Sequence, residues 1–274
     1  MGNAKLSKAI ATFSLPAGFT CPFAYKCLSK TNKFTGKLTE GENTYFRCSS
    51  AVEESVFKSV RESRWKNFEL LKQTKGIRNK VELIQRSLPL GIGVVRVHAS
   101  GDYYSEEYFL AWLNVALNNP LTVFYSYTKA LPFWVKYKKH IPPNFRLTAS
   151  VGGTHDYLIK KHKLKYAEVV FSVEEAEQKG LEIDHDDFHA YNSTKSFCVL
   201  LHGKQKANSI AGEALKKLKK QGLGFYNESS KNLLSKEIKP VKIYVPFMSV
   251  KSSSVKRNWF VNKTNKTNKI YENK

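Results

Sequence analysis

The sequence has few cysteines, few acidic residues and no long apolar run. Only 4 of its 274 residues are cysteine, which argues against a disulfide framework. No apolar run reaches the roughly 18–20 residues that cross a membrane. Residues 1–20 also lack the basic and apolar regions of a secretory signal. We therefore expect a cytoplasmic protein with no membrane partner, and the sequence leaves the oligomeric state open.

The scarcity of acidic residues gives the chain a strong positive charge. Lysine and arginine total 45 against 23 aspartate and glutamate, so the formal net charge is +22. This balance favours a polyanionic partner, most often nucleic acid, because binding releases condensed counterions. A genome of low GC content also enriches lysine and asparagine without any functional meaning, and that alternative stays open.

The chain divides into three zones. Residues 1–50 are irregular and hold three of the four cysteines, and residues 228–274 form a basic, low-complexity tail that we expect to be mobile. Residues 51–227 alternate helix-like and strand-like segments, which predicts a catalytic-type α/β domain with a mainly parallel sheet. The predicted strands are 93–98, 121–127, 144–149, 167–172 and 197–202, and the predicted helices are 51–72, 105–118, 155–163, 174–179 and 208–221.

Five strands fit either a doubly wound sheet or most of a (β/α)-barrel. No glycine-rich dinucleotide motif follows a strand. We prefer the barrel or partial barrel, with the irregular cysteine-containing segment packed on it.

Polar residues follow the predicted strands, at the edge where ligands bind in parallel α/β folds. Asp102 can act as a nucleophile, general base or carboxylate ligand, and Lys129 can neutralise a phosphate. The backbone N–H groups of Gly152 and Gly153 can approach an anion. Each residue taken alone can equally be a helix cap or turn. The predicted catalytic and substrate-binding set at this edge is His98, Ser100, Asp102, Lys129, Ser150, Gly152, Gly153, His202 and Gly203.

An acidic cluster, residues 183–189, is a second candidate site. It contains His185, Asp186 and Asp187 directly after Asp184, and neighbouring carboxylates normally need a cation to compensate their repulsion. We expect His185, Asp186 and Asp187 to act as acid/base groups or ligands. The alternative is a solvated acidic loop.

The early cysteines are a third candidate site. Five residues separate Cys21 from Cys27, and Cys48 follows later, so the spacing is too wide for a zinc ribbon. Three thiolates can hold an iron–sulfur cluster with one open iron, or a zinc ion together with a distant histidine. The alternative is three free buried thiols. Cys198 lies inside a predicted strand and is expected to belong to the core.

The order of several motifs resembles the phage gene product 88 family over residues 12–226. The motifs are Phe13–Gly18 with Cys21-Pro22, Phe46-Arg47-Cys48, Arg64–Phe68, Ser100-Gly101-Asp102, Tyr127-Thr128-Lys129, Ile183–Asp187 and Leu201-His202-Gly203. The resemblance implies the fold and the site but no particular reaction. At the level of fold, the chain is also similar to deazaguanine transglycosylases and to radical iron–sulfur barrels, although the motifs typical of both are absent.

Three functions follow from these patterns. The first is a phage-type enzyme that acts on nucleic acid or a nucleobase, with base exchange through Asp102 as nucleophile or base. The second is an iron–sulfur or radical enzyme that uses Cys21, Cys27 and Cys48. The third is a non-enzymatic nucleic-acid-binding or replication protein that uses the basic tail and the helix at 208–221.

Overall fold

The computed structural model describes residues 10–224, so the predicted tail at 228–274 lies outside the described residues. The strands are β1 (Ile10–Ser14), β2 (Ser29–Thr31), β3 (Leu38–Glu40), β4 (Val94–Ser100), β5 (Val123–Thr128), β6 (Phe145–Ser150), β7 (Tyr166–Val170) and β8 (Phe197–Leu200). The α-helices are α1 (Ser49–Val56), α2 (Lys58–Gln73), α3 (Ile77–Ser87), α4 (Glu106–Asn118), α5 (Leu131–Tyr137), α6 (Tyr157–His162), α7 (Val173–Gln178), α8 (Phe188–Asn192) and α9 (Ile210–Lys220).

The main sheet contains six strands in the order β1-β4-β5-β6-β7-β8, and every neighbouring pair is parallel. The predicted α/β class with a mainly parallel sheet is therefore confirmed. Within residues 10–224 the strand order follows the chain and never reverses, whereas a doubly wound sheet requires a reversal. The strands β2 and β3 form a separate antiparallel pair.

The first strand of the sheet lies in the zone that the sequence predicted to be irregular. β1 has only five residues, Ile-Ala-Thr-Phe-Ser, and four of them are half-buried. A strand this short carries too little alternation to stand out in the sequence. The zone at 1–50 therefore contributes an edge strand to the sheet, and its remainder includes the β2–β3 pair.

The predicted helix at 105–118 forms as α4, for the reasons that the sequence offers. The Ser105 hydroxyl accepts a hydrogen bond from the Tyr108 N–H at 3.3 Å, and Glu106 and Glu107 lie in the first turn, where the helix dipole favours negative charge. Every residue from 108 to 116 is buried, because α3, which the sequence did not reveal, packs against α4. Burial of consecutive residues over more than two turns means that α4 is covered on all sides there.

The predicted helix at 51–72 forms as two helices. Phe57 takes an extended conformation, with φ −108° and ψ 104°, and separates α1 from α2. Because of this break, the orientation of α1 does not follow that of α2. The buried face of α1 consists of Ala51, Val52 and Glu54.

The main hydrophobic core lies between the sheet and the helices α3 and α4. Cys198 is fully buried in a second cluster beside α9, as predicted for a core residue. Among residues 10–224, no helix has both the length and the apolar character needed to cross a membrane. Because the six strands are parallel, their carboxyl ends all lie along one edge, and the polar residues that follow β4, β5 and β6 meet there.

Candidate functional site

Asp102 joins the carboxyl ends of β4 and β5. Its Oδ1 accepts hydrogen bonds from the Tyr103 N–H at 2.8 Å and the Thr128 hydroxyl at 2.6 Å, and its Oδ2 accepts one from the Lys129 N–H at 2.7 Å. Burial raises the pKa of Asp102, and the hydrogen bonds from Thr128, Lys129 and Tyr103 oppose that shift. Asp102 is only 4% exposed, so its carboxylate binds other parts of the chain rather than solvent.

Lys129 extends this network to β6. Its Nζ donates a hydrogen bond to the Ser150 Oγ at 2.5 Å. Lys129 is buried, while Ser150 is half-buried. The structure therefore brings together three predicted residues, Asp102, Lys129 and Ser150, from the ends of three consecutive strands of the sheet.

The glycine turn after β6 lies beside Lys129, but its donors are occupied. The N–H groups of Gly152 and Gly153 donate to the Asp156 carboxylate at 2.7 and 2.9 Å. A Cβ atom on Gly153 would lie 3.3 Å from the Lys129 Cβ, so the turn packs closely against that side chain. The internal carboxylate takes the place that the sequence predicted for a ligand anion.

The segment that follows β1 folds back over this edge of the sheet. The Lys26 N–H donates to the Gly152 carbonyl at 2.9 Å. Gly101 has φ +85°, and a Cβ atom there would lie 2.5 Å from the Thr20 Oγ1 and 2.8 Å from the Leu15 Cβ. Only glycine fits this contact. Together, the contacts at Gly101 and Gly152 hold the segment with the first two cysteines over the carboxyl edge.

The two segments that carry the early cysteines meet at this edge, where the Phe46 N–H donates to the Lys26 carbonyl at 3.2 Å. Cys21 and Cys27 lie in the segment after β1, Cys48 directly precedes α1, and all three are half-buried and free. The Gly18 N–H donates to the Cys21 Sγ at 3.4 Å. Burial raises the pKa of Cys21, and the neighbouring Asp102, Cys48 and Cys27 raise it further. Burial and the nearby Cys27 raise the pKa of Cys48 to about 11.

The three thiols do not form a site for a single metal ion. Between residues 10 and 224, no group of three or more His, Cys, Asp or Glu side chains is placed to hold one ion. A zinc ion requires thiolate sulfur atoms at about 2.3 Å from the metal, which is a close cluster. The expected zinc site of three cysteines and a histidine therefore has no support in this part of the chain.

A buried glutamate that the sequence did not reveal lies at the same edge. The Glu54 Oε1 accepts hydrogen bonds from the Ala17 N–H at 2.9 Å, the Arg64 Nη1 at 3.0 Å and the Ser100 Oγ at 3.2 Å. Glu54 is fully buried, and this burial raises its pKa. Among the described residues, its Oε2 has no hydrogen-bond partner. A lone glutamate in a helix normally predicts an exposed position, so no pattern marked Glu54 as buried. The available signal was its partner Arg64, which begins the motif Arg64–Phe68.

His202 and Gly203 follow β8 and pack against the start of α1. A Cβ atom on Gly203 would lie 3.0 Å from the Ser49 Cβ. The next residue of the helix, Ser50, donates from its Oγ to the Ala99 carbonyl at 3.1 Å. The amino end of α1 thus bridges β4 and the segment after β8, which places Cys48 between them. The His202 Nδ1 lies 2.9 Å from the Leu200 carbonyl oxygen.

Asp187, from the acidic cluster, fastens α8 over the middle of the sheet. Its Oδ2 accepts hydrogen bonds from the Arg96 Nη1 at 2.7 Å and the Tyr125 hydroxyl at 3.0 Å, and its Oδ1 accepts one from the Tyr127 hydroxyl at 3.1 Å. Asp187 is 3% exposed and has φ +65°. The sequence analysis expects a cation to compensate the repulsion between the neighbouring carboxylates. For Asp187 that cation is Arg96, in a salt bridge within the chain.

The other members of the acidic cluster have separate positions. His185 is exposed, and the Asp186 Oδ1 accepts a hydrogen bond from the Phe188 N–H at 3.0 Å. Asp184 is buried, and burial together with Asp187 and Asp186 raises its pKa to about 6. Of the predicted residues, Asp187 is thus occupied by contacts inside the fold, Asp186 accepts from a neighbouring N–H group and His185 lies at the surface.

His98 lies in an aromatic pocket. Its ring packs edge-on against Tyr103, with ring centroids 4.5 Å apart, and its Nε2 lies 3.0 Å from the Tyr108 hydroxyl. Burial lowers the pKa of His98 to about 3, so the ring is neutral at physiological pH. This environment suits a packed core histidine better than the catalytic helper that the sequence suggested.

Comparison with known proteins identifies the family but no activity. The chain has no significant match among curated proteins or among solved structures. The family model described as Gene product 88 matches residues 1–221, which is most of the chain. The match includes β1, the cysteine segment and every strand of the sheet. The chain therefore belongs to the phage gene product 88 family.

Proposed function

We propose that the chain is an enzyme whose active centre is an iron–sulfur cluster held by Cys21, Cys27 and Cys48. The observation that carries the proposal is that the segments bearing the three thiols meet at the carboxyl edge of a parallel sheet. The Phe46 N–H donates to the Lys26 carbonyl at 3.2 Å, and the Lys26 N–H donates to the Gly152 carbonyl at 2.9 Å. Active sites of parallel α/β folds lie at this edge. Cys48 belongs to a different segment from the other two, so the fold, and not the local spacing, brings them together.

A cluster makes a different geometric demand on the three thiols than a single ion does. In a cluster each thiolate binds a different iron atom, so the sulfur atoms stand further apart than around one zinc ion. Three thiolates leave one iron for an external ligand, and such a centre supplies one-electron chemistry when bound. The raised pKa values of Cys21 and Cys48 mean that the free thiols hold their protons, and metal binding would release them.

The polar network beside the thiols has the character of a binding site for an anionic group. Lys129 supplies a positive charge and Ser150 a hydroxyl group at 2.5 Å from it. We assign to Lys129 and Ser150 the binding of a substrate anion, and to Asp102 the positioning of Lys129 through its backbone N–H. Base exchange with Asp102 as the nucleophile is the weaker candidate, because both of its oxygens already accept hydrogen bonds.

We also propose that the sheet is most of a (β/α)-barrel. The six strands run in chain order without reversal, which is the arrangement of a singly wound barrel wall. Ile10 of the first strand and Phe197 of the last belong to one hydrophobic cluster with Tyr125 from the middle of the sheet. A strongly curved sheet brings such residues toward one another across its concave face.

Anaerobic purification followed by iron and sulfide analysis tests the cluster. We expect iron, acid-labile sulfide and visible absorbance in the wild-type protein, and loss of all three signals in Cys21→Ala, Cys27→Ala and Cys48→Ala. Cys198→Ala is the matched control, because that thiol is buried in β8 within the second hydrophobic cluster. Circular dichroism checks that each variant folds.

Three results would each refute this proposal. The first is a wild-type protein that stays free of iron and sulfide after anaerobic reconstitution. The second is a cluster that persists in all three variants. The third is stoichiometric zinc without sulfide, which would show that the thiols rearrange around a single ion.

A further inference from the structure

A basic groove lies between α9 and the loop that precedes it. Its volume is 630 Å³. The lining residues include five lysines and a single acidic residue, Glu213. These lysines are Lys204, Lys206, Lys216, Lys219 and Lys220, and all five are exposed. The groove is therefore a concentrated patch of positive charge.

The loop side of the groove is held in place by buried contacts. The Gln205 Oε1 accepts the Arg47 N–H at 2.7 Å, and its Nε2 donates to the His202 carbonyl at 3.1 Å. A Cβ atom on Gly212 would lie 2.2 Å from the Lys206 carbonyl oxygen, so only glycine lets the loop rest on the helix. Lys204 and Lys206, on either side of Gln205, are thus presented by an ordered backbone.

The helix side of the groove presents three lysines on one face. Lys219 and Lys220 lie three and four positions after Lys216, a spacing that puts all three side chains on the same side of a helix. Ala211 and Leu218 are buried and anchor the opposite side, while the buried Leu215 also lines the groove. Along the axis, Lys216 and Lys220 are about 6 Å apart, a distance over which duplex DNA presents several phosphates.

We propose that this groove binds the sugar–phosphate backbone of duplex DNA without sequence preference. Lysine contacts phosphates as a point charge, and the described lining contains no aromatic side chain on which an unpaired base could stack. Both features favour a duplex, which has the higher charge density, over a single strand. The loop begins directly after His202 and Gly203, so a bound duplex would lie beside the carboxyl edge. The thiols take no part in the groove, and this proposal does not depend on the proposed function.

Fluorescence anisotropy with the full-length chain and a short labelled duplex tests the groove. The variant is Lys216→Ala combined with Lys219→Ala and Lys220→Ala. The matched control replaces three exposed lysines elsewhere with alanine, Lys139, Lys160 and Lys161, and so removes the same charge. Circular dichroism verifies the fold of both variants.

The groove variant should bind the duplex about 100-fold more weakly than the wild type at about 0.1 M salt, because each lost phosphate contact removes one released counterion. Its plot of log affinity against log salt should also be flatter by about 2 to 3. The control should change affinity by less than about threefold, since charges beyond a Debye length are screened.

Other patterns would overturn the proposal. Equal weakening in both variants would show a response to net charge alone, and an unchanged groove variant would place DNA binding elsewhere on the chain. Tighter binding of a single strand, or of vesicles with anionic lipids, would assign the groove to a different partner. The Cys21→Ala, Cys27→Ala and Cys48→Ala variants should bind the duplex normally, which separates failure of the groove from failure of the cluster.

Discussion

Replacement of Asp102 by asparagine should destabilise the fold, and this outcome distinguishes a positioning role from a nucleophilic one. The carboxylate accepts three hydrogen bonds, from the N–H groups of Tyr103 and Lys129 and from the Thr128 hydroxyl. In Asp102→Asn, one oxygen becomes an NH₂ group that can only donate. Whichever way the amide turns, it meets at least one buried N–H donor.

The expected loss follows from these three contacts. A buried N–H without an acceptor costs about 1–3 kcal/mol, and the remaining hydrogen bonds lose the strength that a charged acceptor gives, about 1 kcal/mol each. The neutral amide avoids the burial cost that raises the pKa of Asp102, which offsets part of this loss. We expect the free energy of unfolding to fall by about 2–4 kcal/mol.

Equilibrium unfolding in urea at neutral pH measures this change, with an unaltered slope showing that the folded state keeps its compactness. Asp186→Asn is the matched control, because within residues 10–224 its Oδ1 accepts a single hydrogen bond, from the Phe188 N–H near the surface. We expect a change below about 0.5 kcal/mol. An Asp102→Asn protein as stable as the wild type would contradict this reasoning. The carboxylate would then return as a candidate nucleophile or base.

Two predictions concern the acidic cluster. Asp187→Ala should lower the free energy of unfolding by about 3–5 kcal/mol, because it removes a buried partner of Arg96. Asp187→Asn should lose less, since asparagine tolerates the positive φ, and a loss below about 1 kcal/mol for alanine would refute the assignment. Asp184 has a pKa raised from 3.8 to about 6, so the folded state binds more protons than the unfolded state and this carboxyl's contribution falls as pH rises across that window. The difference in unfolding free energy between Asp184→Asn and the wild type should therefore shift in favour of the variant as pH rises from about 4 to 7, by at most about 3 kcal/mol. Urea unfolding that shows a pH-independent difference would contradict this sign.

Five strands of the main sheet, β4 to β8, and most of the described helices could be predicted because their signals are local. The runs at 93–98 and 144–149 appear as β4 and β6 within one or two residues. The elements β1, β2, β3, α5 and α8 were missed, since strands and helices of three to seven residues carry weak periodicity. The longer helix α3 was also missed, although Ile77, Val81 and Ile84 follow helical spacing and are buried. The break at Phe57 depends on how α1 docks on the sheet, so it left no pattern in the sequence.

The candidate site was only partly predictable. Polar residues at the ends of parallel strands must share an edge, which is why the sequence could place Asp102, Lys129 and Ser150 near one another. The sequence could not show that Gly152 and Gly153 bind Asp156, because that contact depends on the turn's conformation.

The sequence by itself determined the α/β class, the alternation of strands and helices, the core position of Cys198 and the family to which the chain belongs. These properties follow from periodicity, composition and motif order along the chain. Only the tertiary structure decided that Cys48 and the buried Glu54 reach the same edge as Asp102. The path of α1 across the ends of β4 and β8 sets those positions, through backbone contacts between residues far apart in sequence.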